Sequence, residues 1–208
     1  MEKVLSFDVD GTLVTPLFAD TIWLESIPSL VAQKYCISLE EAKSMIYKDY
    51  ENIGPNRLEW YDINYWIEKY ELKVNPKEFV ESHSYLVQLY PEVLEVLETL
   101  KDKFNLIIIS NSARIFLDVT TRNIRKYFKH IFSTVSDFNR IKDSNVYTQI
   151  CKRLSISPLQ MIHVGDSYEL DYLSAIRSGI SAYYVDRNGR MYGQYVIRSL
   201  RELLFKIL

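Results

Sequence analysis

Val4-Leu5-Ser6-Phe7-Asp8-Val9-Asp10-Gly11-Thr12-Leu13 is an apolar run that ends in two carboxylates two residues apart. The run has the length and composition of a buried strand. In open α/β sheets the carboxyl ends of strands form the ligand crevice, so acids at that place point to a site. Like charges held so close repel, and they call for a cation or a proton. Gly11 allows a sharp turn just beyond them. A lone pair of this kind would read as an acidic turn before the next element, so the rest of the chain has to decide.

A second run answers the first. Met161–Val164 leads into Gly165-Asp166-Ser167-Tyr168-Glu169-Leu170-Asp171, again an apolar strand with an acid at its tip. Taken singly, Asp166 would be a helix N-cap and Asp171 a first-turn acid favoured by the helix dipole. Acids converging from two strand ends form an oxygen-only set, with no His or Cys beside it. Hard ions such as Mg²⁺ prefer such sets. Between them in sequence, Leu106–Ile109 ends in Ser110-Asn111-Ser112. A small hydroxyl with free backbone N–H groups at a helix start is an anion site, though a plain N-cap serine looks the same in isolation.

Further apolar runs at Ile131–Val135 and Ser181–Val185 alternate with helical periodicity. Val93, Leu94, Leu97 and Leu100 share one face, as do Val146, Ile150 and Leu154. Alternating strands and helices predict an α/β fold, a Rossmann-like parallel sheet with helices on both faces. Gly179 is placed to end a helix that starts near Glu169.

From Thr15 to Gln88 the pattern holds helices only. Ser38 with Glu41 forms a capping box, and Asn75-Pro76 with Glu78 marks another helix start. Arg57–Tyr70 carries an apolar face through Leu58, Tyr61, Tyr65 and Trp66. The organisation expected is an α/β core of residues 1–14 and 89–208, interrupted by an all-helical insertion at 15–88. Ser199–Leu208 reads as an amphipathic helix docked on the core rather than a membrane anchor, because its polar face is not especially basic.

Composition narrows the partners. The hydrophobic fraction of 48% and charged fraction of 25% are those of an ordinary globular chain. A net charge of −2 gives no pull toward nucleic acid or anionic membrane. Cys36 and Cys151 lack metal-ligand spacing and read as two reduced, buried thiols. Met1-Glu2-Lys3 runs straight into the first strand, and no apolar run is long enough to span a bilayer, so a cytoplasmic protein is expected. His83, His130 and His163 show no ligand or triad spacing and read as packing residues.

These residues carry a resemblance. Asp8–Val14, reading DVDGTLV, resembles the first motif of the haloacid dehalogenase-like hydrolases. IIISNS at 107–112 resembles the second and VGDSYELD at 164–171 the fourth, in the family's order. The resemblance covers about 1–14 and 90–208, and Ala175 with Ser178-Gly179-Ile180 fits the tail beyond the fourth motif. The third motif departs from the pattern. The family places a Lys, often followed by Pro, ahead of the next helix; here Lys142 is the candidate and Asp143 follows it. Aligned instead on Asp143-Ser144 and Tyr147, the slot falls on Ile141, and Arg140 or Lys142 would have to reach in.

The resemblance implies a phosphatase with Asp8 as nucleophile, forming an aspartyl-phosphate. It implies Asp10 as the acid and base. Mg²⁺ would be held by Asp8, Asp166 and the main-chain carbonyl of Asp10. Ser110, the Asn111 backbone and Lys142 would hold the phosphate, with Asp171 and Ser167 behind them orienting Lys142 or the metal's outer sphere. The insertion would be the family's cap, and the substrate a small phosphorylated metabolite. Three other readings share these motifs. A 2-haloacid dehalogenase uses the same fold but typically lacks the second acid, which is present here as Asp10. A phosphomutase differs only in its handling of the intermediate and in its cap. A non-catalytic binding module is also compatible, because fold does not fix function.

Overall fold

The computed structural model describes residues 3–208; the Met1-Glu2 start lies outside them. Six strands form one sheet, β1 (Val4–Phe7), β2 (Asn105–Ser110), β3 (His130–Ser133), β4 (Met161–Gly165), β5 (Ser181–Val185) and β6 (Val196–Ile197). Their order is β3-β2-β1-β4-β5-β6, and every pairing is parallel. β1 is therefore central, and all four of its residues are buried.

The two faces of the sheet follow the two-residue alternation of a strand. Leu5, Phe7, Leu106, Ile108 and Val164 pack on one face against Val93, Val96, Leu97 and Leu100 and against Leu200 and Leu203. Val4, Ile107, Ile109, Met161 and Ala182 pack on the other against Val146, Tyr147, Ile150 and Cys151. The C-terminal helix Leu200–Ile207 is thus docked on the core, capped by Ser199. Among the described residues no helix is long and apolar enough to cross a membrane.

Between β1 and β2 the elements are helical, from Leu17–Asp20 through Ser84–Leu86 to Val93–Leu100. The first part of this stretch has an apolar cluster of its own, built on Phe18, Ile22, Ile46, Ile63, Trp66 and Val80. Phe116 and Val119, from the helix after β2, complete it. Ser38 and Glu41 form a reciprocal capping box at the start of Leu39–Ile53. Asn75 accepts hydrogen bonds from the Lys77 and Glu78 N–H groups at the start of Pro76–Ser82.

Several elements differ from their sequence expectation. Arg57–Tyr70 is divided: a 3₁₀ turn at Leu58–Tyr61 precedes an α-helix at Ile63–Lys69. Asp62 restarts the helix by accepting the Asn64 N–H at 2.9 Å, so the buried face becomes Ile63, Trp66, Ile67 and Tyr70. In Val93–Leu100 the inward residue is Val96, and Leu94 is 50% exposed, because the buried stripe runs i, i+3, i+4, i+7. Val135 belongs to a short helix, Thr134–Phe138, because Ser133 caps it through the Ser136 N–H. Tyr168–Leu173 opens the following helical stretch as a π turn, and Gly179 at φ 84° ends it. Cys151 is buried as expected, but Cys36 is exposed at a helix end in the left-handed region, φ 53°.

Candidate active site

The carboxyl ends of β1, β2 and β4 meet at the centre of the sheet. Asp8 follows β1 directly, and its N–H donates to the Val164 carbonyl at 2.9 Å, which ties it to β4. Oxygens of Asp8, Asp166 and Asp171 lie within 4.8 Å of one another. Asp8 and Asp171 are buried, and Asp166 keeps solvent access.

The close approach depends on two glycines. Gly11 turns at φ 77°, and a β-carbon there would overlap the Asp166 carboxyl. A β-carbon on Gly165 would overlap the Asp171 carboxyl in the same way. Thr12 Oγ1 donates to Asp166 Oδ1 at 3.4 Å.

Lys142 is the buried cation of the site. Its ammonium donates to Asp8 Oδ1 at 2.7 Å and also to Asp171 Oδ1. Its main-chain N–H donates to Asn111 Oδ1 at 2.8 Å, which fixes the loop that carries it. Arg140 instead is exposed and pairs with Asp143 at 2.8 Å, and Ile141 is half-buried. Burial opposes the charge on Lys142, but Asp171 and Asp8 override it and hold its pKa well above the ordinary value. Asp171 is held well below the usual carboxylate range: burial works against its charge, but Lys142 and His163 outweigh it.

The remaining acids carry the opposite imbalance. Burial raises the Asp8 pKa, and Asp171 adds to it against the pull of Lys142. Asp166 is pushed up to about 8 by lost hydration and by the charges of Asp8 and Asp171. One ammonium does not neutralise three clustered carboxylates. The surplus of negative charge on an oxygen-only set fits a divalent cation; Asp171 is already committed to Lys142, His163 and the Ser167 N–H, and Asp8 gives one oxygen to Lys142, which leaves its other oxygen and Asp166 to face an ion.

Asp10 stands apart from this cluster. Its Oδ2 accepts from Ser112 Oγ at 2.7 Å, and burial together with Asp8 pushes its pKa up to about 6. Ser112 also lines a cavity of about 280 Å³ between the helical segment and the strand ends. Ser110 is buried at the end of β2, and its Oγ accepts from the Ser112 N–H at 3.1 Å. The Asn111 side chain joins three segments: it accepts from Thr134 Oγ1 at 2.6 Å and from Lys142, and donates to Tyr61 Oη at 3.3 Å.

Sequence reasoning missed His163 and Ser112. His163 is fully buried, with Nδ1 2.7 Å from Ser6 Oγ and Nε2 3.1 Å from Asp171 Oδ1. No spacing rule marks it, because its partners come from a neighbouring strand and from the helix beyond. The signal for Ser112 was only its place two residues after Ser110.

A family model for haloacid dehalogenase-like hydrolases matches residues 2–179. No curated protein matches the chain by sequence. Among solved structures, a HAD phosphatase from Thermococcus onnurineus is 27% identical with a TM-score of 0.87, and the alignment covers 100% of this chain and 98% of that one. The HAD-hydrolase YfnB from Bacillus subtilis, bound to magnesium, is 19% identical with a TM-score of 0.69, covering 99% of this chain and 98% of its own. A 2-haloacid dehalogenase from Pseudomonas syringae is 20% identical with a TM-score of 0.59, covering 99% and 97%. At such identities the last two speak for the fold alone. The matched span holds β1, β2 and β4 with all the acids gathered at their ends, and the chain belongs to the haloacid dehalogenase-like hydrolases.

Proposed function

We propose that this hydrolase is a Mg²⁺-dependent phosphomonoesterase that works through an aspartyl-phosphate on Asp8. The observation that carries the reading is Asp10: a second carboxyl beside Asp8, hydrogen-bonded to a serine on the wall of an organic-sized cavity. Expelling an alkoxide needs a proton at the leaving oxygen, and a carboxyl at the edge of the cavity supplies one. Halide leaves without a proton. The dehalogenase reading gives Asp10 no task.

In this mechanism Asp8 attacks phosphorus, forming the acyl-phosphate bond as the ester P–O bond breaks. Asp10 gives its proton to the departing oxygen. It then takes a proton from the water that attacks phosphorus, and inorganic phosphate leaves with Asp8 regenerated. Asp8, Asp166 and the Asp10 carbonyl would hold Mg²⁺, which supplies neutralising charge between a carboxylate and an anionic phosphate. Ser110, the Asn111 backbone and Lys142 bind the phosphate oxygens. Asp171, steadied by His163 and Ser167, keeps Lys142 in place. Residues 15–88 act as the cap, closing the cavity over a small phosphorylated metabolite and excluding water. The deciding assay follows release of phosphate from p-nitrophenyl phosphate, with Mg²⁺ and with EDTA, beside halide release from 2-chloropropionate. Phosphate release that needs the metal, without halide release, is expected. Halide release without phosphatase activity would overturn the reading.

A further inference from the structure

The cavity beside Asp10 has a chemistry of its own. Trp23, Tyr50, Trp60, Tyr61 and Phe116 wall it, and Asp20 is the one formally charged residue on its lining. Trp23 stacks on Phe116 at 5.4 Å, and Tyr50 packs edge-on to Trp23 at 6.2 Å and tilted on Trp60 at 5.9 Å. Both tyrosine hydroxyls are spent on backbone: Tyr50 donates to the Trp23 carbonyl at 3.0 Å and Tyr61 to the Pro55 carbonyl at 3.1 Å. With those hydroxyls engaged, the wall presents mainly ring faces and edges.

That wall discriminates among leaving groups. A sugar or polyol would bring several hydroxyls into a space with few partners for them, and each unpaired group is penalised. A volume of about 280 Å³ is ample for a compact organic leaving group. Asp20 is exposed at this lining and forms no ion pair among the described residues. It sits near enough to Asp10 to act on it electrostatically, so its charge is on the substrate's side of the cavity. Aromatic faces with one unpaired carboxylate form a receptor for a cation. An alkylated ammonium fits best, because it offers methyl surface to the rings and needs no hydrogen-bond acceptors.

We propose that the substrate is the phosphate monoester of a small cationic amino alcohol, with its alkylated ammonium held by the aromatic wall and by Asp20. This rests on the phosphatase reading and adds the leaving group to it. The pair that tests it is choline phosphate and 3,3-dimethylbutyl phosphate, equal in shape and differing in the charge of the quaternary centre. A cation–π contact is worth about 2-fold to 30-fold, so kcat/KM for choline phosphate should exceed that for the neutral ester by about tenfold or more, mostly through KM. Asp20→Asn and Trp60→Leu should each bring that ratio toward one. A wild-type ratio near one, with p-nitrophenyl phosphate turned over normally, overturns this inference and leaves the phosphatase reading standing. A preference that survives Asp20→Asn and Trp60→Leu intact overturns the assigned receptor. Failure to hydrolyse any phosphate ester sinks both.

Discussion

The ammonium of Lys142 lies 2.7 Å from Asp8 Oδ1 inside the protein, held there by a main-chain bond from Lys142 to Asn111 at 2.8 Å. The ion pair is closed to solvent on both sides, with side-chain exposures of 3% and 8%. Removing one partner of such a pair leaves an uncompensated buried charge, which costs about 3–5 kcal/mol.

Lys142→Ala should therefore lose both activity and stability, the second visible as a lower Tm. Arg140→Ala should change stability by less than about 1 kcal/mol, as an exposed pair does, and leave turnover close to wild type. Activity measurements and thermal unfolding on the two variants decide the matter. The reverse ranking would mean that the phosphate is held by a different residue.

Asp8→Asn keeps the shape of the side chain and removes the attacking charge. Turnover should fall by several orders of magnitude, while circular dichroism still reports a folded chain. Near-normal rates from the purified variant would end the nucleophile assignment.

Much of this was legible in the sequence, and the reason is local. The acids of β1 and β4 stand at the ends of apolar runs, and position at a strand end is a property of consecutive residues. Lys142 was harder, because a cation in a loop carries no periodicity; only the Asn111 bond across two segments fixes which of Arg140, Ile141 and Lys142 turns inward. His163 was read as a packing residue because its two partners, Ser6 and Asp171, are joined to it through the sheet and not through spacing. β6 is two residues long, too short for alternation to mark it. The helix restart at Asp62 was hidden by an apolar pattern that runs through the break.

Crowding of Asp8, Asp166 and Asp171 would give a bound metal ion a thermodynamic signature separate from catalysis. Adding Mg²⁺ to chelator-treated protein should raise Tm, since a ligand at about 100 times its Kd stabilises by about 2.7 kcal/mol. Asp166→Ala should shrink that rise and increase the Mg²⁺ concentration needed for activity. A Tm indifferent to Mg²⁺ in the wild type would count against a site there.

Asp10→Asn should slow alkyl phosphates by about 10²–10⁴, the range of acid–base assistance, and aryl phosphates much less. Phenolates leave with little help. Equal losses on both classes would deny Asp10 its proton-donating part.

Arg187 binds the turn after β1 to the rest of the sheet. It donates to the Gly11 carbonyl at 3.0 Å, the Thr12 carbonyl at 2.7 Å and Glu92 at 2.9 Å, with its guanidinium 3.4 Å over the Tyr90 ring. Glu92 is lowered below its ordinary value of 4.5, since backbone N–H groups and Arg187 outweigh the opposing effect of burial. A group with a depressed folded pKa stabilises fully above its unfolded value and ceases to do so as pH falls through the folded one. Arg187→Ala should cost about 3 kcal/mol near neutrality, with the gap to wild type narrowing below about pH 4. Denaturant titrations at several pH values measure that gap, and one that stays constant with pH would show that Glu92 takes no part.

Gly11 stands where the Asp166 carboxyl of the neighbouring strand needs room, and Gly165 where Asp171 of the helical turn that follows its own strand needs it. The first motif thus contains, as an empty volume, an imprint of Asp166, and Gly165 carries one of Asp171. Neither glycine can gain a side chain until the carboxylate beside it has moved. Each glycine and its acid therefore form one steric unit, and a side chain added at either glycine displaces a carboxylate from the cluster rather than merely straining a turn.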